Sequence, residues 1–230
     1  MQAVILAGGK GSRLEPYNRV LPKPLFPIGQ DPIAAILVKQ LQNAGFKEII
    51  MCLGYLADLI MAYFQDGSRF GIPIRYVRET NPLGTAGPLK NITGLADDFL
   101  VVNGDELTTL DFCTLLAHHL QLKADMTIAV QKKIIPSSFG VLDIKDGQVV
   151  AYREKPALNY WASMGIYVLS KEVLRIIPDN KRFDVPDLVQ SLLKEQARIV
   201  SFESEALWFD IGTLDDLEKA QRIFCKENLD

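Results

Sequence analysis

Cysteine is scarce: three in 230 residues, Cys52, Cys113 and Cys225, with no C-x-x-C pair and only two histidines in the chain. That excludes a disulfide framework and a zinc site of ordinary spacing, and leaves reduced, structural thiols as the expectation. Long apolar runs are missing too. No window approaches the roughly 18 consecutive apolar residues of a membrane helix, and the opening run Gln2 to Ala7 lacks the basic flank of a signal peptide. The expectation is a chain that starts at Met1 and works in the cytoplasm, away from membranes. Neither sign of charge dominates, since 25 Lys+Arg against 28 Asp+Glu give a formal net charge of -3. The clustered cations of a nucleic-acid binder are therefore absent, and a small-molecule partner is expected. Repeats, low-complexity stretches and a trailing hexapeptide array are absent as well. No second, left-handed β-helical domain is expected.

What is present suits a single α/β domain over residues 1–230, with 48% hydrophobic residues to build its core. Short apolar runs alternate with amphipathic stretches, the pattern of a parallel or mostly parallel sheet covered by helices. Strands are expected at Ala3 to Ala7, Glu48 to Leu53, Ile74 to Val77, Phe99 to Asn103, Met126 to Val130, Gly140 to Ile144, Val149 to Arg153, Gly165 to Leu169 and Ile199 to Phe202. Ile33, Ile36, Leu37, Gln40 and Leu41 follow helical spacing up to Gly45. A second helix should bury Leu56, Leu59, Ile60 and Tyr63, and a third, from Asp111, Phe112, Leu115, Leu116 and Leu120. A last helix begins at the capping pattern Thr213 to Asp216 and presents Leu214, Leu217, Ile223 and Phe224. From Gly140 to Leu169 the rhythm becomes strand, Asp146-Gly147 turn, strand, loop, strand, which reads as an antiparallel insertion of roughly residues 136–165 beside the main sheet.

The most informative segment, Leu6-Ala-Gly-Gly-Lys-Gly-Ser-Arg-Leu14, follows the first strand. Its glycines let backbone N–H groups approach an anion and Arg13 adds a forked donor, although a flexible surface loop would read the same way. It fits neither a Walker A loop nor the dinucleotide fingerprint. Lys23, confined between Pro22 and Pro24, is either a charge clamp near that loop or an exposed lysine. Asp105 lies just past an apolar strand, on the edge where open α/β sheets bind ligands. Asp210, in Trp208-Phe-Asp-Ile-Gly212, has an equivalent setting. Two carboxylates converging there would suit Mg²⁺; each could instead merely cap a turn. Gly84 and Gly87 of Asn81-Pro-Leu-Gly-Thr-Ala-Gly87 open an expected helix, and Glu79 could accept two N–H donors from a purine edge. Glu154-Lys155 could bind a polyhydroxylated substrate or form a salt-bridged strand end. His118 and His119 diverge on their helix and are read as structural, and Trp208 and Phe209 as packing residues.

In order, Ala-Gly-Gly-Lys-Gly-Ser-Arg-Leu, Lys-Pro, Pro-Leu-Gly-Thr-Ala-Gly, Asn-Gly-Asp, Phe-Gly-Val, Glu-Lys-Pro, Gly-Ile-Tyr-Val-Leu and Trp-Phe-Asp-Ile-Gly-Thr resemble the sugar-1-phosphate nucleotidyltransferases over essentially the whole chain. The wording is most similar to mannose-1-phosphate guanylyltransferases and related heptose- and muramate-phosphate enzymes. The resemblance implies a Rossmann-like three-layer α/β/α fold with a mixed, mostly parallel sheet and a small antiparallel sugar-binding insertion. It implies that Leu6, Ala7, Gly8 and Gly84 hold the base and that Gly9, Gly11 and Arg13 surround the triphosphate. Lys23 would sit at the reacting phosphates, Asp105 and Asp210 would bind Mg²⁺, and Gly140, Glu154 and Lys155 would face the sugar. Family members often show Asn-Ala-Gly where this chain has Ser163-Met164-Gly165, so Ser163 takes the sugar-contacting place and the sugar stays open. The implied reaction joins a nucleoside triphosphate, GTP by the Glu79 argument, to a sugar 1-phosphate. The alternatives are a catalytically silent nucleotide-sugar sensor and a cytidylyltransferase for an alcohol phosphate such as phosphocholine; a homo-oligomer is left open.

Overall fold

A computed structural model describes residues 1–227. Its elements run β1 (Gln2–Ala7), β2 (Pro27–Ile28), β3 (Asp31–Pro32), α1 (Ile33–Asn43), β4 (Glu48–Leu53), α2 (Ala57–Phe64), β5 (Ile74–Arg78), β6 (Asp98–Asn103), β7 (Glu106–Thr108) and α3 (Phe112–Leu122). There follow β8 (Met126–Pro136), β9 (Val141–Lys145), β10 (Gln148–Arg153), β11 (Ala157–Ser170), α4 (Val185–Lys194), β12 (Ile199–Glu203), β13 (Trp208–Asp210) and α5 (Leu214–Glu227).

Seven strands form the central sheet in the order β12-β8-β11-β6-β1-β4-β5. Every adjacent pair is parallel except those made by β11, which runs antiparallel to both β6 and β8. The expected mixed, mostly parallel α/β sheet is therefore present. Its inner strands β1, β4 and β6 are apolar on both faces because two separate clusters of buried side chains cover them. Their carboxyl ends, Ala7, Leu53 and Asn103, lie side by side, and the glycine-bearing loops that follow them emerge along one edge.

The insertion differs from its sequence reading. Gly165 to Leu169 does not complete a separate lobe: it belongs to the far half of the 14-residue β11, in the central sheet. A register break between Ser163 and Tyr167 marks where β11 leaves that sheet and continues, paired with the end of β8, as a two-stranded arm. The β9–β10 hairpin, turned by Asp146 and Gly147 as expected, lies beyond that arm.

Three helices turn a different face inward than their spacing suggested. In α2 the buried residues are Ala57, Ile60 and Phe64, whereas Leu59 is exposed. In α3 His119 is buried and Leu120 is 49% exposed. The imidazole repays its burial with bonds to Thr127 Oγ1 at 2.8 Å and Asp98 Oδ1 at 3.2 Å. In α5 Ala220 and Phe224 are buried while Leu214 and Ile223 are exposed. The helix expected after Gly84 is a short 3₁₀ turn, Gly87–Asn91. Both Ala86 and Gly87 direct their N–H groups to the Phe183 carbonyl, which fastens this loop to the segment before α4. The thiols of Cys52 and Cys113 are free, and the Cys225 side chain lies outside the described residues. No described helix is long and apolar enough to cross a membrane.

Candidate active site

Two adjoining cavities open at the carboxyl edge of the sheet. One, of about 360 Å³, is lined by Leu6, Gly8, Gly9, Glu79, Gly84 and Asp105 among others, including Cys52 and Arg182. The other, of about 280 Å³, is lined by Leu6, Ala7, Gly9, Gly11, Arg13, Lys23 and Asp105. The residues expected to hold a base and a triphosphate are thus gathered around one continuous space, with Leu6, Gly9 and Asp105 common to both parts.

The glycines there have specific reasons. A Cβ on Gly8 would come within 2.5 Å of Glu79 Oε1, so only hydrogen lets this carboxylate lie against the loop. Gly11 has φ +61°, a left-handed conformation that starts the turn Ser12–Leu14 and faces the Lys23 stem. Glu79 is fixed by the Leu83 N–H at 2.8 Å, and burial raises its pKa despite that bond. Arg13 is exposed, forms no ion pair among the described residues and rests its guanidinium against Gly212. Burial pushes the Cys52 thiol up to about 12, with the Glu79 charge adding to it, so this cysteine is an inert wall of the pocket.

Lys23, only 6% exposed, bonds Asp105 Oδ2 and lies 3.6 Å from Asp210 Oδ1. The two aspartates, 105 positions apart, meet because β13 pairs antiparallel with β7, setting Asp210 opposite Glu106. The Ile211 N–H also reaches the Asp105 carbonyl, at 3.4 Å.

That ladder brings in a residue that the sequence reading missed. Glu106, 4% exposed, takes bonds from Trp208 Nε1 at 2.6 Å and Asn103 Nδ2 at 3.2 Å. Burial first, then the charges of Asp105 and Asp210, push its carboxyl up to about 8 against those two bonds. Carboxylate oxygens of Asp105, Glu106 and Asp210 all lie within 4.8 Å of one another. Three acids share this place with one ammonium among the described residues, and their hard oxygen donors fit Mg²⁺. The only local hint of Glu106 was a second acid beside Asp105, which solvated turns also show. Trp208 packs against the core, as expected of it, and also orients that acid.

None of the residues expected at the sugar lines either cavity. Gly140 packs against the Tyr152 hydroxyl, which donates to Glu154; Lys155 adopts φ +42°; all lie exposed at the insertion. Neither Glu154 nor Lys155 forms an ion pair among the described residues, so the salt-bridged strand end is overturned. Ser163 is also exposed, its Oγ donating to the Tyr167 hydroxyl at 3.2 Å.

Residues 2–227 match the family model described as nucleotidyl transferase. The chain belongs to that family. It is 37% identical to a UTP--glucose-1-phosphate uridylyltransferase of Synechocystis sp., over 96% of this chain and 63% of that protein. The chain thus spans less than two thirds of this relative's length. It is 32% identical to a D-glycero-alpha-D-manno-heptose 1-phosphate guanylyltransferase of Aneurinibacillus thermoaerophilus, over 96% of this chain and 97% of the relative. Among solved structures, HddC from Yersinia pseudotuberculosis complexed with GMP-PN superimposes with a TM-score of 0.75 at 29% identity, covering 97% of this chain and 99% of that one. Membership of the nucleotidyl transferase family gives the glycine loop, Lys23 and the paired aspartates a common context.

Proposed function

We propose that this chain transfers a nucleotidyl group from a nucleoside triphosphate, GTP by preference, to a sugar 1-phosphate, releasing pyrophosphate and an NDP-sugar. The observation that carries the reading is Lys23, in the wall of a glycine-lined cavity, held between Asp105 and Asp210. The related enzymes named above join a nucleotide to a sugar phosphate, which supports it. For the base, Glu79 supports guanine: a carboxylate accepts from both N1–H and the exocyclic amine, whereas uracil offers one such donor. Residues 1–230 would work as one nucleotidyltransferase domain, with Gly140, Glu154, Lys155 and Ser163 assigned to the sugar.

An oxygen of the acceptor phosphate attacks the α-phosphorus in line, and the bond from the α-phosphorus to the bridging oxygen breaks as pyrophosphate leaves. No protein nucleophile or base is needed, because the acceptor is already an anion. The amides around Gly9 and Gly11 and the Arg13 guanidinium receive the triphosphate, and Lys23 neutralises charge at the reacting phosphorus. Asp105, Asp210 and Glu106 would hold Mg²⁺, which would further neutralise the triphosphate when bound.

A pyrophosphate-release screen of ATP, CTP, GTP, UTP and dTTP against a panel of sugar 1-phosphates, with Mg²⁺ present, tests the reading. GTP should give the highest turnover, and Asp105→Ala should lower it by roughly 10²- to 10³-fold. Inactivity of every pair would favour the silent sensor instead.

A further inference from the structure

Lys133, half-buried on the β8 arm, has no carboxylate partner for its ammonium among the described residues. Its Nζ donates to Gln131 Oε1, on the same face of the strand, and lies 4.7 Å from the centre of the Trp208 ring. Both neighbours are themselves anchored. Gln131 Nε2 donates to the Ala206 carbonyl at 2.8 Å, and Trp208 Nε1 to Glu106 at 2.6 Å. An ammonium that meets only an amide oxygen and an indole face among the described residues keeps a positive potential that an anion would satisfy.

Its position indicates which anion. Through Trp208 it adjoins Glu106, and so the carboxylate cluster, but neither Lys133 nor Trp208 lines the two cavities that suit a nucleotide. In-line displacement requires the attacking oxygen to enter opposite the departing pyrophosphate, from a side that the nucleotide does not fill. We propose that Lys133, steadied by Gln131 and Trp208, binds the phosphate of the acceptor sugar 1-phosphate. The inference rests on the nucleotidyl-transfer reading above. Lys133 only binds, and the electron pair of the broken P–O bond departs with pyrophosphate.

Steady-state kinetics of Lys133→Met and Lys133→Arg test it, with Lys132→Met, altered on the opposite face of the strand, as control. Methionine retains an aliphatic stem over Trp208, so folding should be preserved. In Lys133→Met the KM for the sugar 1-phosphate should rise about 10- to 100-fold while kcat and the KM for the nucleotide stay within about twofold. Arginine should restore most of the loss, and Lys132→Met should change neither KM. An unchanged KM for the sugar phosphate, or an equal or larger rise for the nucleotide, would overturn the proposal. If wild-type protein turns over no pair, the transfer reading fails separately, and Lys133 is read by calorimetry with mannose 1-phosphate. Binding by wild type that Lys133→Met weakens supports the subsite; no binding by wild type, or equal binding by both, refutes it.

Discussion

A single added methyl group probes the base pocket. In Gly8→Ala the new Cβ would press on Glu79 Oε1, the free end of a side chain whose other oxygen is tied to Leu83. The carboxylate can swing aside at little cost to folding, but the pocket then loses its acceptor. The KM for the nucleoside triphosphate should rise about tenfold or more, consistent with losing one charge-assisted bond, with a nearly unchanged thermal midpoint. An unaltered KM would separate Glu79 from the base. Arg13, Lys23, Asp105 and Asp210 stood out as candidates in the sequence because a glycine loop, flanking prolines, the end of an apolar strand or an aromatic pair before a helix start marks each in turn. Glu106 was not, since an acid beside another acid in a turn looks the same whether solvated or 4% exposed.

Helix α3 illustrates what spacing alone leaves undecided. A rotation of one residue separates a face with Leu120 from one with His119, and both satisfy helical periodicity. Thr127 on β8 and Asp98 on β6 decide it, because they give the imidazole partners that a leucine could not use. Burial lowers the His119 pKa below its ordinary 6.5; contacts with Asp98 and the Asp125 charge oppose the shift, while His118 adds to it. The unfolded chain therefore takes up the proton more readily than the folded one. The contribution is complete above about pH 6.5 and is lost as pH falls through that value toward the folded pKa. Thermal midpoints of wild type should drop between these limits more steeply than those of His119→Gln, measured by calorimetry across a pH series. Parallel profiles would mean that His119 does not carry the dependence. The Asp111 cap of α3 and the Thr213–Asp216 box of α5 needed no such arbitration, being set by short-range bonds.

Across the whole molecule, the carboxylate cluster ties early sequence to late: Lys23 precedes α1, Asp105 lies between β6 and β7, Glu106 opens β7, and Asp210 precedes α5. With the Glu106 carboxyl pushed up to about 8, Asp105 and Asp210 are the acids that repel each other near neutral pH, offset among the described residues by the one ammonium of Lys23. Millimolar Mg²⁺ should therefore raise the thermal midpoint of wild type by a few degrees, a chelator should reverse the gain, and Asp210→Asn should show much less of it. Equal shifts in both proteins would place the ion elsewhere. The sequence by itself determined the alternation of strands and helices, the glycine loop after β1 and the hairpin turn at Asp146-Gly147, because each depends on side-chain period or on backbone freedom within a few residues. Only the tertiary structure decided that β11 runs from the central sheet out into the insertion, that His119 faces inward, and that Glu106 and Trp208 join the site. Those outcomes depend on partners far along the chain: pairing of the three-residue strands β7 and β13 carries too little local signal to be read, yet it brings Asp210 to Asp105.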